Sequence, residues 1–261
     1  MSNERRLRPR EHGAYAMLTF PVVSGLVMGG VSWAGIAFAV LAVSGFLAHE
    51  SILVVLGARG ERIRSKDAAN ARSRLVRLAA VALVAAAAFS ATAPGSAWRA
   101  ALLSGGLGLV VGVLLAARRT KSLPGELLVA ATFSSIHAVL AAAGGADVRV
   151  TYLPVAAWVV CFTLATLSVH ALKYRFKGRG PGRWTVAVAP TLAAAVTVLA
   201  IGGLVWRHPL GAVAAAVLPK AVAVLVLSVL PANPRHLKRV GWTFVAADTL
   251  TLGALVWMIG R

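Results

Sequence analysis

Cysteine and acid are the scarce residues of this 261-residue chain, which has one cysteine, Cys161, and eight aspartates and glutamates against 27 lysines and arginines. A single thiol excludes a disulfide framework and a thiolate metal cluster, and Cys161 reads as a small core residue. No polar linker or charged stretch is long enough to fold by itself. The phosphate-cradling P-loop, the Gly-x-Ser-x-Gly elbow and the HExxH zinc helix are also missing. No small-residue cleavage site follows the first apolar run, so that run reads as a retained span and not as a secretory signal. What is abundant is apolar. A hydrophobic content of 59% and a mean hydropathy of +0.79 exclude an ordinary soluble domain.

A helix of roughly 20 apolar residues crosses about 30 Å of hydrocarbon. Runs of that size lie at 13–31, 34–57, 75–92, 97–117, 124–144, 152–172, 184–206, 209–230 and 240–259. Each is expected to be helical, because an unpaired backbone group in lipid is costly. The expected fold class is therefore all-α, a polytopic membrane helix bundle of about nine transmembrane helices forming one integral membrane domain over 1–261. The third run is short and starts near Leu75, where Arg77 can snorkel to the interface. The charged stretch from Ala58 to Ser73 reads as a helix or ordered loop outside the membrane. In the fourth run Gly108 and Gly112 form a GxxxG beside Gly105 and Gly106, a smooth face suited to close helix packing.

Charge orients the bundle. Every second gap is basic: Arg5, Arg6, Arg8 and Arg10, then Arg59, Arg62, Arg64, Lys66, Arg72, Arg74 and Arg77, then Arg118, Arg119 and Lys121. Lys173, Arg175, Lys177, Arg179 and Arg183 follow, and Arg235, Lys238 and Arg239 close the series, giving 22 of the 27 basic residues. The other gaps hold only Arg99, Arg149 and Arg207. Basic loops stay on the cytoplasmic side, which puts the N-terminus inside and, with nine spans, the C-terminus outside. Divided among short loops in this way, a net charge of +19 points to anionic membrane lipid as the partner and not to nucleic acid.

Ionisable residues within spans mark candidate function. His49 and Glu50 fall near the inner end of span 2, Glu126 at the start of span 5 and His137 midway along it. His170 and Lys173 share a face of span 6, three residues apart. Lys220, next to Pro219, and Asp248 fall deep in spans 8 and 9, where a buried ion pair is expected. His137, near Ser134 and Ser135, reads as a hydrogen-bonded core histidine. His12, His49, Glu50, His170 and Lys173 all fall in the cytoplasmic third and suggest a polar cavity open to that side. Gly57 to Arg62 and Lys177 to Arg183 are basic, glycine-bearing turns able to wrap an anion.

The opening Arg-Glu-His-Gly-Ala-Tyr-Ala-Met-Leu-Thr-Phe-Pro (Arg10 to Pro21) resembles the YwiC-like family of bacterial integral membrane proteins, as does the stretch from His49 to Arg62. That resemblance implies the bacterial cytoplasmic membrane and names no reaction. A more distant similarity is to UbiA-like prenyltransferases, whose nine helices carry metal-binding acidic motifs after spans 2 and 6. The spacing of the second motif reads here His170, Lys173, Lys177, followed by Gly178-Arg179-Gly180. Lysines repel Mg²⁺, which needs oxygen ligands, so no metal and no cofactor is expected. The similarity implies instead an anionic lipid or isoprenoid held directly by cations. His12, Arg59, Arg62, Lys173, Lys177 and Arg179 are the ligand-binding candidates, and His49, Glu50 and His170 the catalytic ones, should an atypical transferase be present. Two other classes compete. Pro219 beside Lys220 could break span 8 as in a transporter, or the polar residues could serve an accessory protein of respiration or assembly.

Overall fold

The computed structural model describes residues 12–117, 119–177, 183–205, 208–229 and 237–260. Among them are nine helices: α1 (His12–Gly29), α2 (Trp33–Val55), α3 (Glu61–Thr92), α4 (Gly95–Ala116), α5 (Leu123–Ala143), α6 (Val148–Lys177), α7 (Thr185–Val205), α8 (Pro209–Val229) and α9 (Leu237–Met258). There are no strands among the described residues. Eight helices are long and apolar enough to cross a membrane, while α1 is a shorter apolar helix over Gly13–Gly29. The C-terminal ends of α2, α4, α6 and α8 and the starts of α3, α5, α7 and α9 form the basic end.

Local chemistry sets the helix starts. Ser32 and Ser122 accept hydrogen bonds from Gly35 N at 3.0 Å and Gly125 N at 3.3 Å, capping α2 and α5. Asp147 Oδ1 accepts from Val150 N at 2.9 Å at the start of α6. The α2–α3 turn passes through Gly57 and Gly60 at φ +69° and +95°, a region open mainly to glycine.

Helix α5 is the centre of the molecule. It packs on α1, α2, α4 and α6, and its residues join three buried clusters. One unites it with α1, α6, α7, α8 and α9; another with α2, α3 and α4; the third with α1 and α2. The α1–α5 crossing is close because Gly25 and Gly29 stand one turn apart on α1. A Cβ at Gly25 would meet Leu140 Cβ at 2.7 Å and His137 O at 3.0 Å, and one at Gly29 would meet the Ala141 backbone. Gly144 lies against the backbone of Gly29 and Gly30 in the same way.

One expectation is corrected. The glycine face of α4 is not closely packed by the described residues: Gly105, Gly106 and Gly112 have open space where a Cβ would stand, and Gly108 nears only Thr132. The close crossing falls instead on the Gly25–Gly29 pair. The charged stretch before Leu75 takes the helical form: α3 runs unbroken from Glu61 to Thr92, with the apolar run as its second half. Residues 61–75 are rich in strong helix formers and contain no proline or glycine, so nothing stops the helix where the apolar run ends. The packing gives a test. Gly29→Leu should lower unfolding stability in detergent by about 1–3 kcal/mol through overpacking, whereas Gly112→Leu should leave the melting temperature unchanged.

Candidate functional site

The polar residues of the spans fall into three clusters. The first joins α1, α5 and α6. Pro154 has no N–H, so the carbonyl of Val150, four residues earlier, loses its helical partner. His137 Nε2 lies 2.9 Å from that oxygen. Its Nδ1 lies 2.8 Å from Ser24 Oγ, which accepts from Trp158 Nε1 at 2.9 Å. A carbonyl only accepts, so a neutral imidazole with its proton on Nε2 and its lone pair toward Ser24 satisfies the whole chain of groups. All three side chains are fully buried. Trp158 also stacks between Phe20 and Phe162, at 5.6 and 5.7 Å. His137→Leu would orphan the Val150 carbonyl, while the Ser24 hydroxyl keeps Pro21 O and Trp158 Nε1 as partners. A loss of about 1–3 kcal/mol is expected for the orphaned carbonyl, read as a lower melting temperature in detergent.

The second cluster lies midway along α8 and α9. Lys220 Nζ is 2.7 Å from Asp248 Oδ1, with the two side chains 0% and 4% exposed. The ammonium also donates to Phe244 O at 3.1 Å and sits 4.6 Å above the Phe244 ring. Cys161 Sγ, on α6, lies 3.9 Å from Thr251 Oγ1. Helices α8 and α9 are thus clasped by charge at the same depth, with apolar side chains around the pair. Removing one partner of such a pair costs about 3–5 kcal/mol, while replacing both with apolar groups is often neutral. Lys220→Met alone should therefore cut membrane yield and thermal stability sharply. Lys220→Met with Asp248→Leu should recover most of that loss.

The third cluster occupies the basic end. Glu50, on α2, is buried and accepts from Arg59 Nη2 at 2.6 Å across the α2–α3 turn. Glu126, at the start of α5, meets His170 Nε2 of α6 at 2.9 Å. Helices α2 and α6 both pack on α5, and Glu50 and Glu126 are each met by a local basic side chain. Lys173, Arg62, Lys66 and Arg72 are exposed. Arg175 Nη1 donates to Ser228 O at 2.8 Å. His49 is a half-buried neighbour of Glu50. The side chains of His12 and Lys177, and all of Arg179, lie outside the described residues.

Two hollows bear on ligand binding. One, of about 20 Å³, lies between α6, α7, α8 and α9 among Ser168, Arg175, Ser228 and Val240, with room for about one water. The other is an open apolar groove of about 610 Å³ along the α2–α3 seam, lined by Trp33, Ile36, Val40, Val81, Val84 and Thr92. Neither is lined by Glu50 or His170. Among the described residues no three His, Cys, Asp or Glu side chains converge as metal ligands would.

Sequence reasoning passed over Ser24, Trp158 and Asp67. The first two had a signal in Pro154, whose freed carbonyl demands a donor from a neighbouring helix. Asp67 had none, because a lone acid in a basic stretch looks like a solvated residue until α3 turns it onto α2.

A chain whose described residues form helices and no strands, eight of the helices long and apolar enough to cross a membrane, is a multi-pass membrane protein. The model of the YwiC-like protein family matches residues 8–141, and the chain belongs to that family. The match takes in α1 to α5, including the Gly25–Gly29 crossing, the Glu50–Arg59 pair and His137. No curated protein and no solved structure matches.

Proposed function

We propose that this protein holds a phosphate-bearing lipid or isoprenoid at its basic end, with that end at the cytoplasmic face of a bacterial inner membrane, and does so without Mg²⁺. One observation carries the reading. Buried Glu50 and half-buried Glu126 are already engaged by Arg59 and His170, while Arg62, Lys66, Arg72 and Lys173 stand exposed at the same end. Cations with no acid to answer suit phosphate, at roughly 1.5–3 kcal/mol for each charged hydrogen bond. Acids tied to cations are poor magnesium ligands. Lys177 and Arg179 continue the same basic run in the sequence. Binding is the reading, not group transfer, since these cations do not supply the leaving-group activation of a metal.

The experiment has two parts. Reporter fusions after Pro94, Asp147 and Arg261 should all report the outside, which sets the basic end inside. Purified protein is then titrated with a prenyl diphosphate and with an anionic phospholipid, each in Mg²⁺ and in EDTA. Binding should be the same in both buffers and fall about tenfold on Lys173→Glu. Binding lost in EDTA means a metal site and overturns the metal-free reading. No binding of either ligand overturns the lipid reading altogether.

A further inference from the structure

Six acids fall among the described residues, and five have a partner. Glu50 is met by Arg59, Glu61 by Arg64, Glu126 by His170 and Asp248 by Lys220. Asp147 accepts from a backbone N–H. Asp67 has none, although it is 4% exposed and its Oδ1 is buried. Ser51 Oγ and Arg59 Nε are likewise buried without a hydrogen-bond partner. These three atoms belong to one short stretch of the α2–α3 hairpin. Ala71 and Val54 pack together across the seam, and Arg64 Cδ lies beside Gly57. Asp67 stands one turn from each of Arg64 and Ala71 on the same face of α3, so it is set against α2 between Val54 and Gly57. Ser51 is one turn below Val54, and Arg59 reaches back along the seam to Glu50.

A buried carboxylate, hydroxyl and guanidinium N–H left without partners is costly, and together they describe a ligand. Asp67 and Ser51 ask for a donor with positive charge; Arg59 Nε asks for an acceptor. Depth narrows the choice. Counting about 20 residues for the hydrocarbon back from Thr92 puts its edge near Arg72, and Asp67 about 8 Å beyond it, at headgroup level. Exposed Arg62 and Lys66 stand on the same turns, and α3 starts without a side-chain cap at Gly60.

Resting on the lipid reading above, we infer that the α2–α3 seam takes the headgroup of an aminophospholipid. Its primary ammonium lies on Asp67 and Ser51, and its phosphate lies on Arg59 Nε and Arg62. The site thus selects an ethanolamine-type headgroup over one that has phosphate but no amine.

The test is native mass spectrometry of the full chain, incubated with equal amounts of phosphatidylethanolamine and phosphatidylglycerol. The wild type should retain phosphatidylethanolamine about tenfold better. Asp67→Asn should abolish that preference while leaving phosphatidylglycerol retention unchanged, and Arg62→Gln should weaken both. Should Asp67→Asn not fold, the wild type with phosphatidylcholine decides, since its trimethylated amine has no N–H and should be retained like phosphatidylglycerol. Equal retention of all three lipids overturns the amine site and leaves the phosphate reading standing. Retention of no lipid overturns both, and binding of millimolar free phosphoethanolamine in that case assigns the seam to a soluble phosphoamine instead.

Discussion

The imidazole of His137 is the point on which the bundle's architecture turns. It sits in α5, the helix shared by all three large clusters, and binds α6 through Val150 and α1 through Ser24. In a membrane the apolar side chains of neighbouring helices gain little by leaving lipid for one another, so association rests on close packing and on satisfied polar groups. Both devices act here within one turn of α5. Gly25 lets α1 approach until a methyl would collide with the His137 carbonyl and Leu140, and Ser24, its neighbour, donates into the imidazole. Close approach positions the hydroxyl, and the hydroxyl's need for a partner sets the rotation of α1.

The remaining ionisable groups obey the same constraint with different partners. Lys220 and Asp248 meet midway along their helices, Glu126 and His170 near the basic end, and Glu50 and Arg59 within a single hairpin. The first two pairs fasten α8 to α9 and α5 to α6, so they add contacts between elements already adjacent in sequence. The third fixes a turn. None of the three draws α2 toward α6, which accounts for why polar residues at matched depths in those helices serve two local pairs.

How much of this was legible depended on whether a residue's partner could be named from sequence. Nine apolar runs gave nine helices, because length and hydropathy act on each run alone. Lys220 and Asp248 could be matched because the middles of spans 8 and 9 hold only one charge of each sign. Glu50 could not be matched with Arg59, since seven basic residues follow it and the turn geometry at Gly57 and Gly60 chooses among them. The α4 glycines misled for a related reason. A GxxxG pattern shows that a helix can be approached closely, and only the packing of the whole bundle shows which helix is. Gly25 and Gly29 have the same spacing and are the pair that is used.

The continuous α3 carries the functional argument further than the membrane spans do. A helix that stopped at Leu75 would leave Arg62, Arg64 and Lys66 on a loose loop, attracting anionic lipid without choosing among headgroups. With 32 residues, α3 is about 48 Å long and exceeds the hydrocarbon by roughly 18 Å. The excess holds basic side chains at fixed positions above α2 and turns Asp67 inward against it. General attraction needs only charge, but selection between headgroups needs a group of opposite sign at a set distance from the cations. Asp67 is the acid that the extended helix supplies, and its lack of a partner among the described residues is what makes it available.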